Sequence, residues 1–198
     1  FRELDPEGPF YVSTLLNLGM SFAALGVHER ALALYDEQLA IARARNDPGM
    51  LYASLVRLGD AALGLDRPEL ALAQFDEALR YASTSLEPLP QRWPLYGSAG
   101  ALVDLGRIPE AIERIDRAIA LAAAAGNDFY HFEDLATKGA ILTDSDPKRA
   151  VALLREAGRL RGNHESSGPW AFDHRLARAL RRAGEFDQAI EHARRAIA

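Results

Sequence analysis

Apolar and polar positions alternate along this chain with the three-to-four spacing of amphipathic helices, and the same arrangement returns at a fixed interval. Five alanines open helical segments in matching contexts: Ala31, Ala71, Ala111, Ala150 and Ala189, separated by 40, 40, 39 and 39 residues. Shortly before each lies a turn signal, at Gly26, Asp66, Gly106, the 144–146 stretch and Gly184. Upstream of the turns runs a second helical pattern, in which Leu18-Gly19 and Leu58-Gly59 are again 40 residues apart. Each repeat is therefore a pair of helices of about 16 residues, roughly 24 Å long each. The pattern predicts helices over 10–25, 28–45, 48–64, 67–83, 94–105, 108–125, 128–143, 147–161, 169–183 and 186–198.

Within a pair, the small residue at the repeated alanine lets the two helices approach. Tyr35, Phe75, Ile115 and Leu154 stand four residues further along the same face and are predicted core. Start signals agree. Asp47-Pro48 and Asp146-Pro147 place a capping side chain before a proline at the first helical position, and Asp66 with Glu69 has the spacing of a capping box. Two connections stand apart, the proline-rich stretch Ser83–Pro94, which carries Trp93 between two prolines, and the polar stretch Gly162–Pro169; both are expected to be surface loops.

Composition sharpens this into an all-α expectation, because Ala and Leu dominate an apolar content of 48% and unbranched side chains lose little freedom in a helix. The absence of cysteine excludes disulfides and thiolate metal sites. No apolar run reaches the length of about 18 to 20 residues that a membrane span needs, and no signal sequence opens the chain, so a cytoplasmic protein is expected. The start at Phe1, without Met, leads us to expect a fragment of a larger protein. Arg far outnumbers Lys, as in GC-rich bacterial genomes.

These residues resemble the tetratricopeptide repeat family, whose usual period is about 34 residues. Leu18-Gly19, Gly26, Ala31 and Tyr35 carry the resemblance in the first repeat, Leu58-Gly59, Ala71, Phe75 and Ala78 in the second, and Gly106, Ala111 and Ala118 in the third. The period of 39 to 40 is longer, and the family's proline after the second helix is missing. Lengthened repeats of this kind resemble those of kinesin light chains and of sensor arrays in bacterial regulators and signalling ATPases. The resemblance implies a right-handed superhelical solenoid of about five helix-turn-helix repeats, over about 10–45, 48–83, 94–125, 128–161 and 169–198 of a single array spanning 1–198. Its inner wall would be lined by the first helix of each pair.

The family's inward positions fall on Ser13, Leu16 and Met20; on Ala53, Val56 and Asp60; on Trp93, Tyr96 and Gly100; near Glu133, Ala136 and Ala140; and on His174, Arg178 and Arg181. Trp93 and Tyr96 are the expected anchors, since aromatic side chains combine contact area with a polar handle. Trp93 alternatively seals a junction between repeats. The family's clamp for carboxylate tails needs Lys and Asn where Leu16 and Met20 stand, which disfavours that partner.

Charge is uneven. Residues 1–147 hold 12 Lys and Arg against 22 Asp and Glu, whereas residues 148–198 hold 11 against 6. Arg175, Arg178, Arg181 and Arg182 suit an acidic peptide or a phosphate, or else pair with acidic neighbours on a solvated face. Nucleic acid is disfavoured by the net charge of −5. No zinc-hydrolase histidine pair, phosphate loop or nucleophile elbow is present, and His131 beside Glu133 and Asp134 reads as a solvated helix start. The expected function is a non-catalytic module that binds a protein or peptide segment, or another domain of its own parent chain, without cofactor or metal. The alternative is a ligand-sensing array of a bacterial transcriptional regulator or signalling ATPase, binding a small effector or signalling peptide. Ile190, Ala193 and Ile197 lack an obvious neighbour, so more chain or a second copy, as in a homo-dimer, is expected at that end.

Overall fold

The computed structural model describes residues 8–83, 89–161 and 169–197. Among them are ten α-helices and no strand: α1 (Pro9–Ala24), α2 (His28–Arg45), α3 (Pro48–Gly64), α4 (Pro68–Ala82), α5 (Arg92–Asp104), α6 (Ile108–Ala124), α7 (Asp128–Leu142), α8 (Pro147–Leu160), α9 (Pro169–Ala183) and α10 (Phe186–Arg195). The chain forms two compact units, Phe1–Arg107 with α1 to α5 and Ile108–Ala198 with α6 to α10. In each, helices that follow one another in sequence pack together. The first helix of a pair also touches the first helix of the next, α3 with α5 in one unit and α7 with α9 in the other. This is the all-α helical repeat solenoid that the 40-residue period predicts.

The repeated alanines are buried, Ala31, Ala71, Ala111 and Ala150 completely and Ala189 nearly so. Four residues on, Tyr35, Phe75, Ile115 and Leu154 fill the core. Tyr35, Phe75 and Leu154 are each accommodated by a glycine on the facing helix. A Cβ on Gly59 of α3 would lie 2.6 Å from the Phe75 ring, and one on Gly97 of α5 would lie 2.4 Å from it, so Phe75 is held between two bare stretches of backbone. Gly19 faces Tyr35 and Gly139 faces Leu154 in the same way.

Asp47 accepts from the Met50 backbone N–H at 3.0 Å and Asp146 from that of Arg149 at 3.1 Å, so both expected caps form. The capping box at Asp66 and Glu69 does not form. Arg67 holds the cap position of α4 without a side-chain hydrogen bond, and Asp66 instead takes a left-handed φ of 55°. That conformation closes α3, with the Arg67 N–H donating to the Ala62 carbonyl, and it matches Gly26, Gly106 and Gly184 at the corresponding corners. Asp66 is thus a stand-in for a glycine.

Trp93 is also placed differently. A short 3₁₀ turn, Leu89–Gln91, leads directly into α5, so Trp93 lies in the first helical turn and not in a loop. Pro94 is tolerated there because first-turn N–H groups have no partner within the helix. At the other end α10 stops at Arg195, short of the expected 198. Residues 84–88 and 162–168 of the two expected loops lie outside the described residues.

Candidate functional site

The register of the first helices is fixed by one backbone bond at each corner. Val27, Arg67, Arg107 and Glu185 donate to the carbonyls of Phe22, Ala62, Leu102 and Leu180. Counting back six residues from those carbonyls gives Leu16, Val56, Tyr96 and His174, and counting back two gives Met20, Asp60, Gly100 and Arg178. Gly139 over Leu154 supplies the same register in α7, where Ala136 and Ala140 correspond.

In the unit of α1 to α5, these positions meet around Asp60. Met20, Ala23, His28, Tyr35, Arg57 and Ala61 enclose with it a hollow of about 200 Å³. Arg57 pairs with Asp60 at 3.4 Å one helical turn away, both side chains remaining over a third exposed. The Trp93 side chain of α5 donates a hydrogen bond to the Asp60 carboxylate. Burial pushes the Asp60 carboxyl up to about 6, against the opposing pull of Arg57 and of the hydrogen bonds from Trp93 and Arg57. Burial likewise raises the Tyr35 phenol, with Arg57 lowering it and Asp60 raising it further, which places both charged groups near the ring. Met20 keeps 44% of its surface open beside them.

Trp93 and Tyr96 come together at 6.3 Å between ring centroids. Trp93 packs against the cluster that contains Val56, Leu55 and Leu58, sealing α5 onto α3. Both rings are underpinned by Arg92, whose guanidinium lies 5.7 Å from the Trp93 ring centroid and 4.9 Å from that of Tyr96, and which is only 1% exposed. Val56 lies in the core, covered from the α5 side, and Leu16 is half-buried against the same cluster. Of the expected positions here, Ser13 and Met20 are exposed and Asp60 and Tyr96 half-buried. Arg92 was not legible as a site residue: a charged residue at a proline-rich entry to a helix reads as solvated, and only the fold places it under two rings. Arg57 was equally hidden, because its role follows from a partner three residues on.

In the other unit, His174, Arg178 and Arg181 are brought together on α9, all three exposed. With α10 they line a larger hollow of about 380 Å³. Asp144 binds Arg178 at 2.7 Å and Arg182 at 2.9 Å, the solvated pairing that was one of the two expectations for these arginines. Asp134 is fully buried and not part of a solvated helix start. Lys138 pairs with Asp116 across α6 and α7. Among the described residues no group of three His, Asp or Glu side chains is arranged to hold a metal ion. No helix among them is long and apolar enough to cross a membrane.

Tetratricopeptide repeat models match residues 11–84 and 171–198, together a little over half of the sequence and including its first two and its last repeats. The chain belongs to the tetratricopeptide repeat family. No curated protein matches it by sequence. Three solved tetratricopeptide-type structures show how far the fold extends. A Podosopora anserina protein described as having nearly identical kinesin light chain TPR-like repeats is 18% identical, with 96% of this chain and 97% of that one covered and a TM-score of 0.76. BtubC (BKLC) from P. vanneervenii is 20% identical, with 98% and 83% covered and a TM-score of 0.81. A Rap protein complexed with Competence and Sporulation Factor is 16% identical with a TM-score of 0.81, and the match covers 92% of this chain and 52% of that one. At these identities the likeness is one of fold.

Proposed function

We propose that this tetratricopeptide repeat chain is a non-catalytic module that binds a peptide segment of a protein partner on the first helices α1, α3 and α5. The observation that carries the reading is the Asp60 hollow. An ion pair that is still open to solvent, an exposed methionine and the Tyr35 ring border a space suited to one apolar side chain and its flanking amides, with Trp93 reaching Asp60 from α5. Arg57 offers donors and Asp60 acceptors to a peptide backbone, while Met20 adapts to the shape of what enters. The buried Arg92 holds Trp93 and Tyr96 in fixed rotamers, which lowers the entropy lost on binding.

A phage-displayed library of 12-residue peptides selected on the whole chain supplies a probe, and calorimetry then measures its affinity. Met20→Arg and Asp60→Lys, both at open positions, are expected to weaken the selected peptide at least tenfold with the far-UV dichroism unchanged. Selected peptides that bind both variants as tightly as the parent chain would place the site elsewhere.

The likeness to a Rap protein complexed with Competence and Sporulation Factor favours a second reading, in which the array senses a signalling peptide or small effector and passes a change of pitch to an attached domain. A ligand drives such a change only by binding one conformation better than the other. Small-angle scattering with and without the selected peptide separates the readings: a passive binder keeps its profile, and a sensor shifts it.

A further inference from the structure

Polar groups that helix packing does not call for converge on the Asp60 hollow. Asp60 and Arg57 come from α3, His28 and Tyr35 from α2. At the position of His28 the later repeats carry Pro68, Ile108, Pro147 and Phe186, and at that of Tyr35 they carry Phe75, Ile115, Leu154 and Ala193. None of these has a side chain that can hydrogen-bond. The place of Asp60 is held by Met20, Gly100, Ala140 and Arg178 in the other repeats, so a carboxylate stands there once. The His28 ring lies against the last turn of α3, where a Cβ on Gly64 would come within 2.5 Å of it. Its Nδ1 is buried and has no hydrogen-bond partner among the described residues, a cost that packing alone does not repay.

The rest of the wall is apolar, made by Met20, Ala23 and Ala61. Asp60 accepts from Trp93 and from Arg57, the latter at 3.4 Å. A carboxylate can accept about four hydrogen bonds and a guanidinium donates five, so both members of the pair have capacity to spare. A ligand that uses both must bring a cationic donor and an acceptor side by side. A second carboxylate would be repelled by Asp60. A lysine or arginine side chain would suit Asp60 but would set a cation beside Arg57 and offer it no acceptor. An α-amino end meets both needs, because its ammonium nitrogen and first carbonyl oxygen lie roughly 3 Å apart by bond geometry. That is close to the separation of Arg57 and Asp60. Residues 1–107, the unit that holds the hollow, contain 9 Arg and no Lys against 14 Asp and Glu, a field that favours a cationic group.

We propose that the Asp60 hollow captures an α-amino end: the ammonium sits on Asp60, the adjacent carbonyl accepts from Arg57, and an apolar first side chain enters among Met20, Ala23 and Ala61 above the Tyr35 ring. The proposal deepens the peptide-binding reading and rests on it for taking this hollow as the binding place. A peptide's N-terminal residue and a free apolar amino acid share the chemistry.

The test follows the indole N–H resonance that disappears in Trp93→Phe, since that group bonds Asp60, while small ligands are titrated into the whole nitrogen-15-labelled chain. L-leucinamide carries ammonium, carbonyl and apolar side chain; N-acetyl-L-leucinamide lacks the ammonium, and 3-methylbutylamine lacks the carbonyl. L-leucinamide is expected to shift the resonance saturably and to bind at least about tenfold more tightly than either of the others. Asp60→Asn and Arg57→Gln, with helical dichroism unchanged, are expected to remove that advantage. Equal affinity for L-leucinamide and its acetylated form, or no saturable shift from any of the three, overturns the proposal, and this comparison needs only the parent chain. Two further ligands identify the source. Leucylglycylglycine binding more tightly than L-leucine points to a peptide N-terminus; the reverse order keeps the α-amino capture and withdraws the peptide reading. A selected 12-residue peptide that loses nothing on N-acetylation but is weakened by Asp60→Lys does the opposite: it overturns this proposal and leaves the peptide reading standing.

Discussion

The contact of Phe75 with Gly59 and Gly97 shows how little room one side chain leaves for change. Gly59→Ala puts a methyl group where the ring already stands, which costs about 1–3 kcal/mol in a packed interior. Phe75→Leu alone opens a cavity and also destabilises. Together they should cost less than their sum, because the smaller side chain makes room for the methyl, and urea denaturation of the four proteins in a double-mutant cycle would measure that coupling. Repeat five carries this exchange in more extreme form, in Ala177 and Ala193. Asp60 gives a second prediction at this scale. Its carboxyl is held near 6 in the folded chain, above the value of about 3.9 it has when unfolded. Between those values the native state binds the extra proton, so the Asp60 contribution to stability falls as pH rises from about 4 to about 6 and stays low above. Asp60→Asn removes this dependence while keeping the shape. Its melting temperature relative to the parent should therefore climb across that window, and differential scanning fluorimetry at pH 4.5 and 7.5 would reveal it.

Helices were the most legible part of the sequence, and their corners the least. Nine of the ten helices end within two residues of the expected positions, because the apolar spacing and the Asp-Pro starts act locally and in agreement. Asp66 misled because its side chain and its backbone argue for different roles. The spacing to Glu69 suits a cap, but the chain has to reverse at that corner and a left-handed residue does so. Asp66→Gly relieves that strain and should stabilise the protein by a few tenths to about 1 kcal/mol, less whatever the freer unfolded chain takes back. The genuine caps behave oppositely. Asp146→Ala leaves the Arg149 N–H without its acceptor and should cost about 1 kcal/mol. Denaturant midpoints of both variants at constant m-value would check the two signs. The same limit explains the site: Met20, Asp60 and Tyr96 could be placed on one face by counting, but the bond from Trp93 to Asp60 and the burial of Arg92 depend on how α5 meets α3, which no local pattern encodes.

Across the molecule, stability is a sum of helix pairs and the contacts between neighbours, and among the described residues α10 packs chiefly against α9. Ala189 is the only buried residue of α10, whereas α8 buries Ala150, Val151, Leu154 and Ala157. Amide hydrogens of α10 in this chain should therefore exchange faster than those of α8, and mass-spectrometric exchange would read the difference. The charge contrast between the first 147 residues and the last 51 adds that any acidic partner should prefer the later repeats, and do so less as salt rises. One further consequence belongs to the corner between α6 and α7. Gly126, at a φ of 62°, has nothing within 4 Å of where a side chain would begin. A small fluorescent tag joined there would start in open space and give a handle for imaging or immobilisation, at the cost of the bond from the Asn127 N–H to the Ala122 carbonyl that closes the corner.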